Sequence, residues 1–336
     1  MCFIISTFLL FTICAVTINA QCERYLNCLD CAGAQTVGYT CRWCLDSGSC
    51  VNGLLACSTY TVITQYNCPR NISQIVFPYY LLTSRIIPIT KAANAVLDLW
   101  AKEDVLPILQ NMHNDTTIIY SNTVVCDHGM ASVIVAAIEP NREAVIAFDS
   151  TVGFDEIIAQ IFDFLLNRQE KFRFGGRVLK YYNSCFFSLW DNGLNDTMQE
   201  YFVSRKNWNI TVTGAGIGGS LASMLIPAVA TLLRLSNINL LTVGQPRTGD
   251  ITFAISVESN THSAFRAVVG ADLLADMPKR IGDSLDLAHH FAFEVYFPDG
   301  LDDPYHICDQ PESPYCSNSV FFKVPWLNML YFVKLE

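Results

Sequence analysis

Apolar positions along this chain follow two periods, and the change from one to the other divides it into elements. Ala93, Val96, Leu97 and Trp100 recur at helical spacing, which predicts a helix over 92–112 with Pro107 kinking or ending it early. Strands are predicted at 117–125 and 132–138. The run E-A-V-I-A-F at 143–148 is apolar without alternation, as in a strand buried on both faces. Helical spacing returns at 154–166 and 178–205, the second stretch interrupted near Asn192 and Gly193. Then come a β-branched run, a glycine-dense turn and an apolar helix over 221–235. Further strands are predicted at 238–243, 265–270 and 292–297. Strands alternating with helices indicate an α/β fold on a mostly parallel sheet.

Before residue 90 the pattern is set by cysteine instead. Cys22, Cys28, Cys31, Cys41, Cys44, Cys50, Cys57 and Cys68 crowd a segment too short to bury much apolar surface. Residues 1–20 read as a secretory signal, because a 3–16 apolar run ends in Ile18-Asn19-Ala20. The run falls short of the ~20 residues a membrane span needs. In an oxidising compartment the cysteines read as disulfides, and zinc at Cys28-x-x-Cys31 and Cys41-x-x-Cys44 is the rival reading. The C-x-x-C…C-x-W-C pattern around Trp43 resembles the small plexin–semaphorin–integrin module, which implies a spacer or an interaction module for an unknown protein partner, and no catalysis. Cys308 and Cys316 are expected to close one loop, leaving Cys126 and Cys185 for each other. The expected layout is a signal at 1–20, a disulfide module at 21–69, a linker at 70–88 and an α/β domain at 89–336.

Charge and composition narrow the function. The 336 residues carry a net charge of -10, which argues against nucleic acid and against a basic membrane-binding face. Hydrophobic content of 51% suits one large core plus a small module. No second stretch is long and apolar enough for a transmembrane span once the signal is removed. N-x-S/T tripeptides at Asn71, Asn114 and Asn195 are expected to carry glycans; a fourth, at Asn209, starts a strand and is expected to be too buried.

The chemistry centres on V-T-G-A-G-I-G-G-S-L-A at 212–222. Gly214, Gly216 and Gly219 spell G-x-G-x-x-G, the turn that lets a backbone approach a pyrophosphate. The same strand–turn–helix with serine at its centre is the G-x-S-x-G nucleophile elbow of ester hydrolases. Against a dinucleotide, no acidic residue ends the next strand, and several predicted strands already precede the turn. No cofactor is expected.

Four further landmarks carry a resemblance. They are V-G-Q-P-R-T-G at 243–249, F-R-A-V…A-D-L-L at 265–274, H-F-A-F-E-V-Y at 290–296 and A-F-D-S-T at 147–151. In order and spacing the chain resembles the fungal-type, or class 3, lipases over most of 85–320. The resemblance implies an α/β-hydrolase fold of the fungal lipase type, preceded by the small disulfide-rich module. It implies a Ser–His–Asp site, with the aspartate at Asp272, the histidine at His290 and an oxyanion donor at Thr151. The nucleophile serine falls on Gly216, which has no side chain to acylate. Ser220 and Cys185 are poorly placed substitutes. The expectation is a secreted lipase-like protein that is catalytically inactive and binds a lipid or a partner. The alternative is an active lipase or carboxylesterase using Asp272 and His290 with a non-standard nucleophile.

Overall fold

The computed structural model describes residues 21–97, 105–150, 168–280 and 286–323, apart from residues 37, 56, 59, 128 and 236. The signal at 1–20, Trp100, the helix at 154–166 and Thr151 lie outside the described residues. The chain divides into two compact units, one ending at Asn71 and the other starting at Ile72.

The first unit contains a short helix, α1 (Cys28–Cys31), and four strands: β1 (Gln35–Thr36), β2 (Tyr39–Cys44), β3 (Ser49–Asn52) and β4 (Thr61–Val62). β2 lies at the centre, antiparallel to the other three. All eight cysteines are paired, as Cys22–Cys41, Cys28–Cys68, Cys31–Cys50 and Cys44–Cys57. Those sulfurs are therefore not thiolate ligands for zinc. The bridges fill the interior that a segment of this length cannot fill with apolar side chains.

The second unit is built on an eight-stranded sheet in the order β14-β13-β12-β11-β10-β7-β6-β5. The strands are β5 (Thr116–Cys126), β6 (Gly129–Ile138), β7 (Glu143–Ser150), β10 (Asn209–Ala215), β11 (Ile238–Val243), β12 (Ser263–Val269), β13 (Phe293–Phe297) and β14 (His306–Ile307). The five from β7 to β13 run parallel; β5, β6 and β14 are antiparallel to their neighbours. β8 (Gln169–Lys171) and β9 (Arg177–Leu179) form a separate hairpin.

Side chains alternate across the sheet, and each face has its own cover. On one face lie α2 (Ile87–Leu97), the helical turns before it, and α3 (Val105–Met112). Phe77, Leu82 and Ile86 pack on Leu241, Phe265 and Val295, and Ile89, Ala92 and Leu109 pack on Ile134, Val145 and Ala147. Full burial contributes ~1.5–3 kcal/mol for each large apolar side chain. Pro107 falls in the first turn of α3, where its missing N–H is tolerated. The crossover from β7 to β10 carries α4 (Lys180–Leu189) and α5 (Asn195–Phe202), separated by a kink at Asn192 and Gly193. Among the helices α6 (Ile217–Leu233) packs on β10 and β7, and it is buried along almost its whole length, with Pro227 inside it. α7 (Ile251–Ser259) follows β11, its first turn capped by Asp250 accepting from the Phe253 N–H at 2.8 Å. Cys126–Cys185 ties β5 to α4, and Cys308–Cys316 closes the loop after β14.

Candidate active site

At the β10–α6 turn Gly216 alone stands between the strand and the helix. Gly216 has φ 52° and ψ −122°, a conformation that glycine adopts freely and an L side chain does not. Its N–H donates to the Val243 carbonyl at 2.8 Å, and its own carbonyl accepts from Gly219 at 3.0 Å. Two flanking glycines make the closeness sterically feasible. A Cβ on Gly214 would lie 2.3 Å from the Gly218 backbone, and one on Gly218 would lie 2.4 Å from the Phe148 carbonyl oxygen. A Cβ on Gly219 would overlap less, lying 3.0 Å from the Gln245 side chain and 3.2 Å from the Gly214 carbonyl oxygen. The strictly required glycines thus follow G-x-x-x-G at 214 and 218, the spacing that frames a nucleophile elbow.

The carboxyl end of β7 runs against this turn, since the same Cβ on Gly218 would approach Asp149 Cα to 2.8 Å. Thr151 lies just beyond, outside the described residues. Ser150 donates through Oγ to the Met130 carbonyl at 3.0 Å, and its N–H donates to Asp149 Oδ1 at 2.8 Å. Ser220 is 0% exposed, within α6 and beside Tyr182, so its hydroxyl faces the interior.

Asp272 follows β12 through Gly270, whose φ is 53°. It is fully buried, and Oδ1 accepts from the Leu274 N–H at 2.9 Å and the Ala275 N–H at 3.5 Å. His290 precedes β13 and is also buried. Its Nε2 lies 3.0 Å from the Ala275 carbonyl, which can only accept, so Nε2 carries the proton. Among the described residues Nδ1 has no hydrogen-bond partner. Asp272 and His290 therefore meet the same short turn, one at its amides and the other at a carbonyl, and the imidazole bonds the turn and not the carboxylate. Burial, with Arg266 and Arg247 nearby, holds the imidazole well below its usual pKa and keeps it neutral. His289 is held down to about 4 by burial and by Arg280.

A buried ionic lattice fixes this arrangement; Arg247, Arg266 and Glu294 fall within the sequence landmarks, while Glu312 was not singled out by any pattern. Glu312 accepts from the His290 backbone N–H at 2.8 Å and pairs with Arg247 at 2.7 Å. Burial alone would raise the Glu312 carboxyl, but the charge and hydrogen bonds of Arg247 hold it well below the usual carboxylate range. Arg247 also reaches the Asp276 and Pro278 carbonyls, gripping the turn after Asp272. Arg266 donates to the Phe291 and Pro311 carbonyls, both at 3.0 Å, and its other nitrogen lies 3.5 Å from Glu294. Gly249 completes the frame by accepting from the His289 N–H at 2.7 Å. The available signal for Glu312 was its position inside the Cys308–Cys316 loop. A lone glutamate in a loop ordinarily reads as solvated.

Comparison with known proteins agrees with this frame. Residues 145–281 match the family model for lipase (class 3). A lipase of Rhizopus niveus is 29% identical over 151 residues, which cover 43% of this chain and 37% of that protein. A Caenorhabditis elegans lipase is 26% identical over 140 residues, covering 34% of this chain and 40% of its relative. The chain thus spans about two fifths of the length of these curated relatives. In structure, the Rhizomucor miehei triacylglyceride lipase superposes with a TM-score of 0.61 at 22% identity, covering 76% of this chain and 96% of that one. The lipase from Rhizopus microsporus var. chinensis gives 0.60 at 17% identity, covering 77% and 89%. The fold is the α/β-hydrolase fold of the fungal lipases.

Proposed function

From a class 3 lipase-like α/β-hydrolase as premise, we propose that this protein is a secreted, catalytically inactive member of the lipase type that acts by binding a lipid or a partner. Gly216 carries the reading. It occupies the apex of the turn where the resemblance expects the nucleophile serine, and a residue without a side chain forms no acyl-enzyme. The state of His290 adds support, because a ring whose Nε2–H is committed to the Ala275 carbonyl is not poised to accept a proton from the turn. Burial of Ser220 weighs against a substitute nucleophile in α6. The retained frame is consistent with a site that still holds an apolar acyl chain or ester without cleaving it. The disulfides fit an oxidising compartment. Secretion through the signal at 1–20, glycans at Asn71, Asn114 and Asn195, and a protein partner for the cysteine-rich unit belong to the same proposal.

The decisive experiment measures turnover of short- and long-chain esters by the secreted protein, beside flotation with neutral lipid vesicles. The expected outcome is vesicle binding with no hydrolysis above the blank. Hydrolysis that disappears in His290→Ala would overturn the proposal in favour of an active lipase or carboxylesterase using Asp272 and His290.

A further inference from the structure

At the opposite end of the sheet from the β10–α6 turn, the amino ends of β7, β10, β11 and β12 border a cavity of about 420 Å³. That volume falls in the range of small-molecule sites, ~300–1,000 Å³. Its walls are divided in character. Ile75, Val76 and Phe265 supply apolar surface, while Asn209 and Asn239 present planar amides and Glu143 is held by Arg85 at 2.7 Å.

The amides form a directed chain. Ser263 Oγ donates to Asn239 Oδ1 at 2.7 Å, which turns Asn239 Nδ2 towards Asn209. That nitrogen donates to Asn209 Oδ1 at 2.8 Å. Asn209 Nδ2 is the remaining atom, and among the described residues it makes no hydrogen bond. Asn209 is exposed as the first residue of β10, contrary to the burial expected for a strand start. It also begins the tripeptide Asn209-Ile210-Thr211, the acceptor pattern for N-linked sugar.

We propose that Asn209 is a glycosylation site and that the first sugars of its glycan occupy this cavity. The inference rests on the reading that the chain is secreted. The donor class is an oligosaccharide on a lipid pyrophosphate. Asn209 Nδ2 bonds to the anomeric carbon, the carbon–phosphate-oxygen bond breaks, the amide loses one proton and the lipid pyrophosphate leaves. Transfer precedes folding, and the folded chain then has to accommodate the sugar. A pyranose ring offers apolar C–H faces and hydroxyl edges, matching the walls from Ile75, Val76 and Phe265 and the amides of Asn239 and Asn209. The cavity lies away from the carboxyl ends of the strands, where α/β sheets carry their ligand sites. Its occupant therefore leaves the β10–α6 turn open.

The test uses the full chain secreted from eukaryotic cells and an amidase that releases N-glycans in heavy-oxygen water. Peptide mapping is expected to find heavy-oxygen aspartate at 209. From the folded protein, release at Asn209 is expected at least about tenfold more slowly than at Asn71, Asn114 and Asn195, and at an equal rate after unfolding. Asn209→Gln and Thr211→Val are each expected to remove one glycan, the second without altering the Asn239 bond partner. An unmodified Asn209 beside occupied sites elsewhere would overturn the inference alone. Absence of sugar at every site would overturn it together with secretion. Equal release from the folded protein would remove the seating in the cavity.

Discussion

At Gly216 the backbone conformation and the missing nucleophile are one question. A side chain at φ 52° and ψ −122° is strained by ~1–3 kcal/mol, and glycine removes that strain. Gly216→Ser is therefore expected to lower the stability of the second unit by about 1–3 kcal/mol, read from denaturant midpoints at constant slope. The two adjacent histidines give a second expectation. Both rings are held neutral in the folded chain, His289 with its pKa lowered to about 4. Below about 6.5 the unfolded chain takes up protons that the folded chain does not. Stability is thus complete above that pH and declines as the pH falls towards 4, by up to ~1.4 kcal/mol per pH unit for each ring. Denaturation at several pH values across this window checks it, and His289→Gln should flatten the slope. Neither effect was legible in the sequence, which marks Gly216 as the place of the missing serine and His290 as the family's histidine but carries neither the backbone angle of the one nor the burial of the two rings.

Individual elements were legible to different depths, for physical reasons. β7 was readable because a strand buried on both faces needs an unbroken apolar run. α6 was readable as apolar, but its start was expected four residues late, at 221 instead of Ile217, because its first turn is glycine-rich. α7 was not foreseen: I-T-F-A-I-S-V-E-S is rich in β-branched residues, and the Asp250 cap with tertiary packing makes it helical. The glycine turn itself admitted two readings, and sterics separates them. Gly218→Ala would drive a Cβ into the Phe148 backbone and is expected to destabilise by about 3 kcal/mol or more. Gly219→Ala brings its Cβ no nearer than 3.0 Å to Gln245 and 3.2 Å to the Gly214 carbonyl oxygen, a smaller overlap, and should be milder, about 1 kcal/mol. Comparable losses from both variants in thermal unfolding would contradict this assignment.

On the scale of the molecule, the candidate site is held by segments far apart in sequence. Arg247 after β11, the turn at Asp272–Asp276, His290 and Glu312 converge only in the folded chain. Such convergence leaves no local periodicity, which explains why Asp272 and His290 were traceable through a family pattern while Glu312 was not. Glu312→Gln would leave the buried Arg247 cation without its main counter-charge, and a loss of ~3–5 kcal/mol is expected in equilibrium unfolding. The parallel strands carry a last consequence. β10 begins at Asn209 and ends at Ala215, six residue steps apart, or roughly 20 Å along the strand. Sites that far apart without shared partners behave additively. Changes at Asn209 and at Gly216 therefore sum without coupling, and each pole of the sheet can vary in evolution without disturbing the other.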